Sequence, residues 1–150
     1  MCNLPVDIED SEKIVMAIMF PSHVDKRKGT LNSRAFRPRP STDQISVIRQ
    51  THMGTDFCRS KGKEIASKAT HSTYVGLAVL TANQIRRVGA EVCDSRQEFC
   101  GHAHISYGIV AQPNEPLEPR LAQMVRRLFE CATYYEDPDP AASCWTGPQL

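Results

Sequence analysis

The chain has 150 residues, which suits one domain and allows about two thirds of the unfolded surface to be buried. Hydrophobic residues at 41% and charged residues at 23% are ordinary globular proportions, which excludes wholesale disorder. A net charge of +1 excludes a molecule-wide attraction to nucleic acid or to an anionic membrane, so any such preference must be local.

Residues 1–12 are polar and read as a flexible N-terminus. They precede a globular domain over 13–133 and an irregular, proline-rich tail over 134–150. The apolar run "IVMAIMF" at 14–20 is too short to cross a bilayer, and Asp7, Glu9, Asp10 and Glu12 before it are the wrong charges for a signal peptide. A soluble, cytoplasmic protein with no membrane partner is therefore expected. In that compartment the six cysteines are expected to be reduced thiols.

Lys13 to Phe20 reads as a strand or a short buried helix, ended by Pro21. The segment "HVDKRKGTLNSRAFRPRP" at 23–40 is basic and turn-rich. It is a solvated loop or a local anion site, with Arg37 and Arg39 on one side of an extended chain. Only Phe36 is interleaved with these charges, so the stacking platform of a single-strand nucleic-acid binder is missing and nucleic acid is not favoured. "QISVIR" at 44–49 alternates as a strand, with Ile45, Val47 and Arg49 on one face and Ser46 and Ile48 on the other. Thr55 to Lys68 reads as a helix that Gly62 weakens, with Phe57, Cys58, Ile65 and Ala66 inward.

"YVGLAVL" from Tyr74 is a buried strand, and Thr81 with Gln84 has capping-box spacing for a short helix stopped by Gly89. "AEVC" and "HAHISYGIV" are further strands. If the strands flanking the short helix are parallel, their crossover is right-handed. Leu117 to Ala132 is the clearest helix, with Leu117, Leu121, Met124, Val125, Leu128 and Ala132 on one side. The expected fold is a single α+β domain: a mixed or antiparallel sheet of about five strands, packed by this amphipathic helix and by smaller ones.

The stretch "FCGHAHISYG" at 99–108 holds the densest chemistry. Strand alternation sends His102 and His104 to one face, while Ala103, Ile105 and Tyr107 point to the other. Two imidazoles titrating near neutrality suit substrate or nucleotide contact, or a hydrogen-bonded sheet surface. Cys93, Cys100, His102 and His104 together have zinc donor types, but their spacing fits no common zinc pattern. His52 and Cys58, six residues apart, prescribe no nucleophile and base geometry. No glycine-rich phosphate loop, GxSxG elbow or HExxH helix is present, and no cofactor is implied.

The order "AFRPRP", "ISVIR", "YVGLAVLTANQIRRVG", "GHAHI", spanning about residues 13–110, resembles a group of small bacterial proteins with F-x-P, Leu-Ser-Val-like and H-A-x-I segments. That resemblance implies no activity, but it implies a bacterial setting and a defence or toxin-related system. The same order is distantly similar to ADP-ribosyltransferase-like domains, where Ser46 would match the serine-strand position; the first-strand arginine or histidine and the later glutamate have no counterpart. The functional expectation is a binding or accessory protein whose face of Arg37, Arg39, Arg49, His102 and His104 contacts a protein partner or a nucleotide or other phosphate-bearing ligand. The alternatives are a nucleotide-handling enzyme, using Ser46 to position substrate and His102 or His104 as acid or base, and a zinc-stabilised module.

Overall fold

The computed structural model describes residues 1–150. Six strands, β1 (Lys13–Phe20), β2 (Gln44–Arg49), β3 (Thr73–Thr81), β4 (Glu91–Asp94), β5 (His102–Ser106) and β6 (Thr133–Glu136), form one sheet in the order β4-β5-β2-β1-β3-β6. Every pairing is antiparallel. The helices are α1 (Gln50–Met53), α2 (Thr55–Ser67), α3 (Ala82–Arg87) and α4 (Pro119–Cys131), with a single 3-10 turn at Ser33–Phe36. The expected α+β domain is present with one more strand than the sequence suggested, because Thr133–Glu136 adds to the β3 edge directly after α4.

Both faces of the sheet are packed, as strand alternation requires. On one face Ile14, Ile18, Ile45, Val47, Ala103 and Ile105 meet α4, α3 and the 3-10 turn. Helix α4 lies there because Leu121, Met124, Val125 and Leu128 fall on a single stripe and are all buried. Burying Leu121 or Leu128 contributes about 1.5–3 kcal/mol each relative to exposure. The helix starts at Pro119, whose missing N–H costs nothing in the first turn, and Glu118 accepts from the amides of Arg120 and Leu121. On the opposite face Val15, Met19, Ile48 and Leu77 meet Cys58 and Ala66 of α2, with Leu150 from the chain end.

Gly62, which weakens α2 on propensity alone, is where α2 touches the sheet: a Cβ there would lie 2.8 Å from the Ala17 Cβ and 3.0 Å from the Tyr74 ring. The capping box at Thr81 and Gln84 forms with both of its hydrogen bonds, and Gly89 takes a φ of +93° just past the helix. Strands β3 and β4, which flank α3, do not pair; they lie towards opposite ends of the sheet. The parallel crossover considered for them is therefore absent.

Residues 1–12 contain no helix or strand, yet Ile8 and Glu12 are buried and arginines bind the backbone. Arg96 donates to the carbonyls of Cys2 and Leu4, and Arg49 to those of Pro5 and Asp7. Cys2 and Cys100, 98 positions apart, form a disulfide, which corrects the expectation that all six thiols are reduced. No helix is long and apolar enough to cross a membrane.

Candidate functional site

The site begins as a defect in sheet pairing. Strand β1 pairs with β3 from Lys13 to Phe20, but with β2 only at Ile14 with Arg49 and Val15 with Ile48. The register would next bring Met16 opposite Val47 and then Ala17 opposite Ser46, but neither pair forms, and all four residues line a cleft of about 270 Å³ where the strands part. Further along β1, His23 takes the place of a strand partner. The Met19 amide donates to its Nδ1 at 3.1 Å, and its own amide donates to the Met19 carbonyl at 3.0 Å. Burial pushes the His23 pKa below the usual histidine value, so the ring is neutral at pH 7.

Residues of both faces of the sheet line the cleft, Ala35, Ile45 and Val47 from the α4 side and Ile48, Ile65 and Phe99 from the α2 side. Its polar lining is His23, Arg37, Arg39, Ser46 and His102. Arg37 and Arg39 arrive on an extended segment in which Phe36 and Pro38 are buried and the two arginines are exposed. The Arg39 amide donates to the Gln44 carbonyl at 3.3 Å, which lays this segment beside the start of β2. No ion pair in the molecule involves either arginine.

A second chamber of about 240 Å³ adjoins the cleft and has no hydrophobic lining. Arg39, Ser46 and His102 belong to both spaces, and Gln44, Ser95, Gln97, Glu98 and His104 complete the second. His104 stands across from Ser46 on β2 and from Cys93 on β4, so all three share the α2 side of the sheet. His102 is the more constrained imidazole. Its Nδ1 is 2.5 Å from the buried Ser95 hydroxyl, and its ring meets Phe99 edge-on at 4.9 Å between centroids. Burial lowers its pKa despite the opposing pull of Glu98, so it is neutral at pH 7 with Nε2 as its uncommitted nitrogen.

The structure thus gathers Arg37, Arg39, Ser46, His102 and His104 around two adjoining spaces. Arg49 is placed elsewhere: its side chain is 0% exposed, and it is bonded to both Glu12 oxygens at 2.9 Å and to Asp94 at 2.7 Å. Alternation does set it on the Ile45 and Val47 side, but at the strand end it meets two carboxylates rather than solvent. The zinc set does not assemble, since Cys100 is bonded to Cys2 and no three His, Cys, Asp or Glu side chains are grouped to hold a metal. Cys58 is fully buried, and desolvation pushes its thiol up to about 12, which makes it a small hydrophobe rather than a nucleophile.

Sequence reasoning missed His23, Gln44, Ser95, Gln97, Glu98 and Phe99. For Ser95 a signal existed: if "AEVC" and "HAHI" are hairpin partners, Ser95 falls opposite His102, and its amide indeed donates to the His102 carbonyl at 3.0 Å. Replacing Ser95 with alanine leaves Nδ1 without its partner. It is expected to lower stability by about 1–3 kcal/mol, read as a lower melting temperature, and to release His102 from its fixed orientation, read from its imidazole NMR signals.

No family model, curated protein or solved structure matches this chain.

Proposed function

We propose that this protein is a non-enzymatic binding or accessory protein, and that its site is the split between β1 and β2 with the adjoining polar chamber. The ligand, free or carried by a partner, bears a phosphate. One observation carries the reading: Arg39, Ser46 and His102 belong to both an apolar cleft and a wholly polar chamber, with the unpaired Arg37 at the same cleft. Two guanidiniums without carboxylate partners favour an anion by charge and by the fork geometry that matches phosphate oxygens.

A second reading, an ADP-ribosyltransferase-like or other nucleotide-handling enzyme, is supported by Ser46 and His102 lining the same space. Against it, His102 Nδ1 is committed to Ser95, and the Ser46 hydroxyl makes no hydrogen bond to a base. Thermal melting with AMP, ATP and NAD separates the readings. A phosphate-bearing ligand at one hundred times its dissociation constant adds about 2.7 kcal/mol, equivalent to a rise of roughly 5–10 °C for a domain of this size. Such a rise with unchanged ligand supports binding. Release of nicotinamide from NAD would favour the enzyme, and no shift with any of the three would count against the site.

A further inference from the structure

Resting on that reading, we infer that the polar chamber recognises the hydroxyl groups of a sugar, so that the ligand is a phosphate ester of a polyhydroxylated ring. The two spaces differ in charge. The cleft holds Arg37 and Arg39 with no carboxylate, whereas the chamber holds one arginine, Arg39, and one carboxylate, Glu98. Within the chamber the one arginine, Arg39, is matched by the one carboxylate, Glu98, which would repel a phosphate lodged inside it. The phosphate therefore belongs with Arg37 and Arg39, and the chamber takes the neutral polar part of the same molecule.

The chamber side chains have the right chemistry for that part. Gln44, Ser46, Gln97, Glu98 and His104 make no hydrogen bonds within the protein through their side chains, although they line one small space. A sugar hydroxyl both donates and accepts. Carboxamides offer both roles in one group, and a carboxylate with two oxygens accepts from two neighbouring hydroxyls together. Phe99 and Ile48 add apolar lining to the adjoining cleft, with the Lys61 ammonium 4.5 Å from the Phe99 ring centroid. Neither space alone reaches the roughly 300 Å³ at which small-molecule pockets begin, but joined through Arg39, Ser46 and His102 they pass it.

The test is calorimetric titration of the full chain with inorganic phosphate, ribose 5-phosphate, 2-deoxyribose 5-phosphate and AMP. Ribose 5-phosphate is expected to bind at least tenfold more tightly than inorganic phosphate, and loss of its 2-hydroxyl to weaken binding about tenfold. Glu98→Ala, at an exposed side chain without internal partners, is expected to remove most of the preference for ribose without weakening inorganic phosphate binding. AMP separates sources: binding as tight as ribose 5-phosphate or tighter assigns a nucleotide, and much weaker binding assigns a free sugar phosphate, either of which supports hydroxyl recognition. Equal binding of ribose 5-phosphate and inorganic phosphate overturns this inference and leaves the anion site standing, whereas no binding of any probe overturns both.

Discussion

Arg49→Met is expected to destabilise the protein by about 3–5 kcal/mol, the range found when one partner of a buried ion pair is removed. For a domain of this length that corresponds to a fall in melting temperature on the order of 10 °C. Arg49 is the largest fully buried side chain, and its guanidinium joins the residue before β1, the end of β2 and the end of β4 through Glu12 and Asp94. Methionine fills much of the volume but leaves two buried carboxylates facing each other. Arg96 still reaches Asp94 at 2.8 Å, whereas Glu12 keeps only the Glu9 amide at 3.3 Å and the His52 ring at 3.7 Å, so Glu12 becomes the costlier carboxylate. Adding Glu12→Gln to Arg49→Met is therefore expected to recover part of the loss. A single variant within about 1 kcal/mol of the parent, a size typical of exposed pairs, would mean that the network is solvated in solution.

Asp137→Asn should have the next largest effect, because Arg59 and Asp137 form the buried pair of the other face, 4% and 0% exposed and 2.6 Å apart. Tyr74 also donates to this carboxylate at 2.9 Å, and the Asp139 amide donates to its second oxygen at 3.0 Å. Burial pushes the Asp137 pKa upward, but the hydrogen bonds from Arg59 and Tyr74 outweigh it and hold the carboxyl below its ordinary value of 3.8. A depressed folded-state pKa contributes stability that is fully present above the unfolded value and is lost as pH falls through the folded one. Melting temperature is thus expected to drop as pH is taken from about 5 to below 4, and less steeply in Asp137→Asn. At neutral pH the variant is expected to be less stable by about 3 kcal/mol. An unchanged acid slope would show that Asp137 carries none of this dependence. Asp94, similarly held low by Arg96 and Arg49 against the cost of burial, supplies part of the slope that remains.

What could be read in advance divides by range along the chain. Helices α3 and α4 were legible because their signals are local: Thr81 with Gln84 three residues on, and the stripe from Leu121 to Leu128. Strand faces were legible by alternation, which sets His102 and His104 opposite Ala103 and Ile105 as the sheet does. Strand order was not legible, because β2 meets β5 across more than fifty residues and nothing local specifies that choice. The same limit explains Arg49, whose carboxylates lie 37 and 45 residues away, and the Cys2 to Cys100 bond. It also hid the cleft, which exists because β1 and β2 separate after two residue pairs and His23 closes the backbone of Met19. Of the sequence-derived binding face, Arg37, Arg39, His102 and His104 reach the two spaces with Ser46, while Arg49 became part of the scaffold.

The most direct measurement is calorimetric titration of ribose 5-phosphate into the parent chain and into Arg37→Ala with Arg39→Ala, at low ionic strength. Both side chains are exposed and unpaired, so the variant is expected to keep the parent melting temperature. A charge-assisted hydrogen bond from each guanidinium to the phosphate is worth about 1.5–3 kcal/mol, so affinity is expected to fall by at least a hundredfold. Equal affinity in the two proteins would contradict the account and place any phosphate-bearing ligand away from the split between β1 and β2.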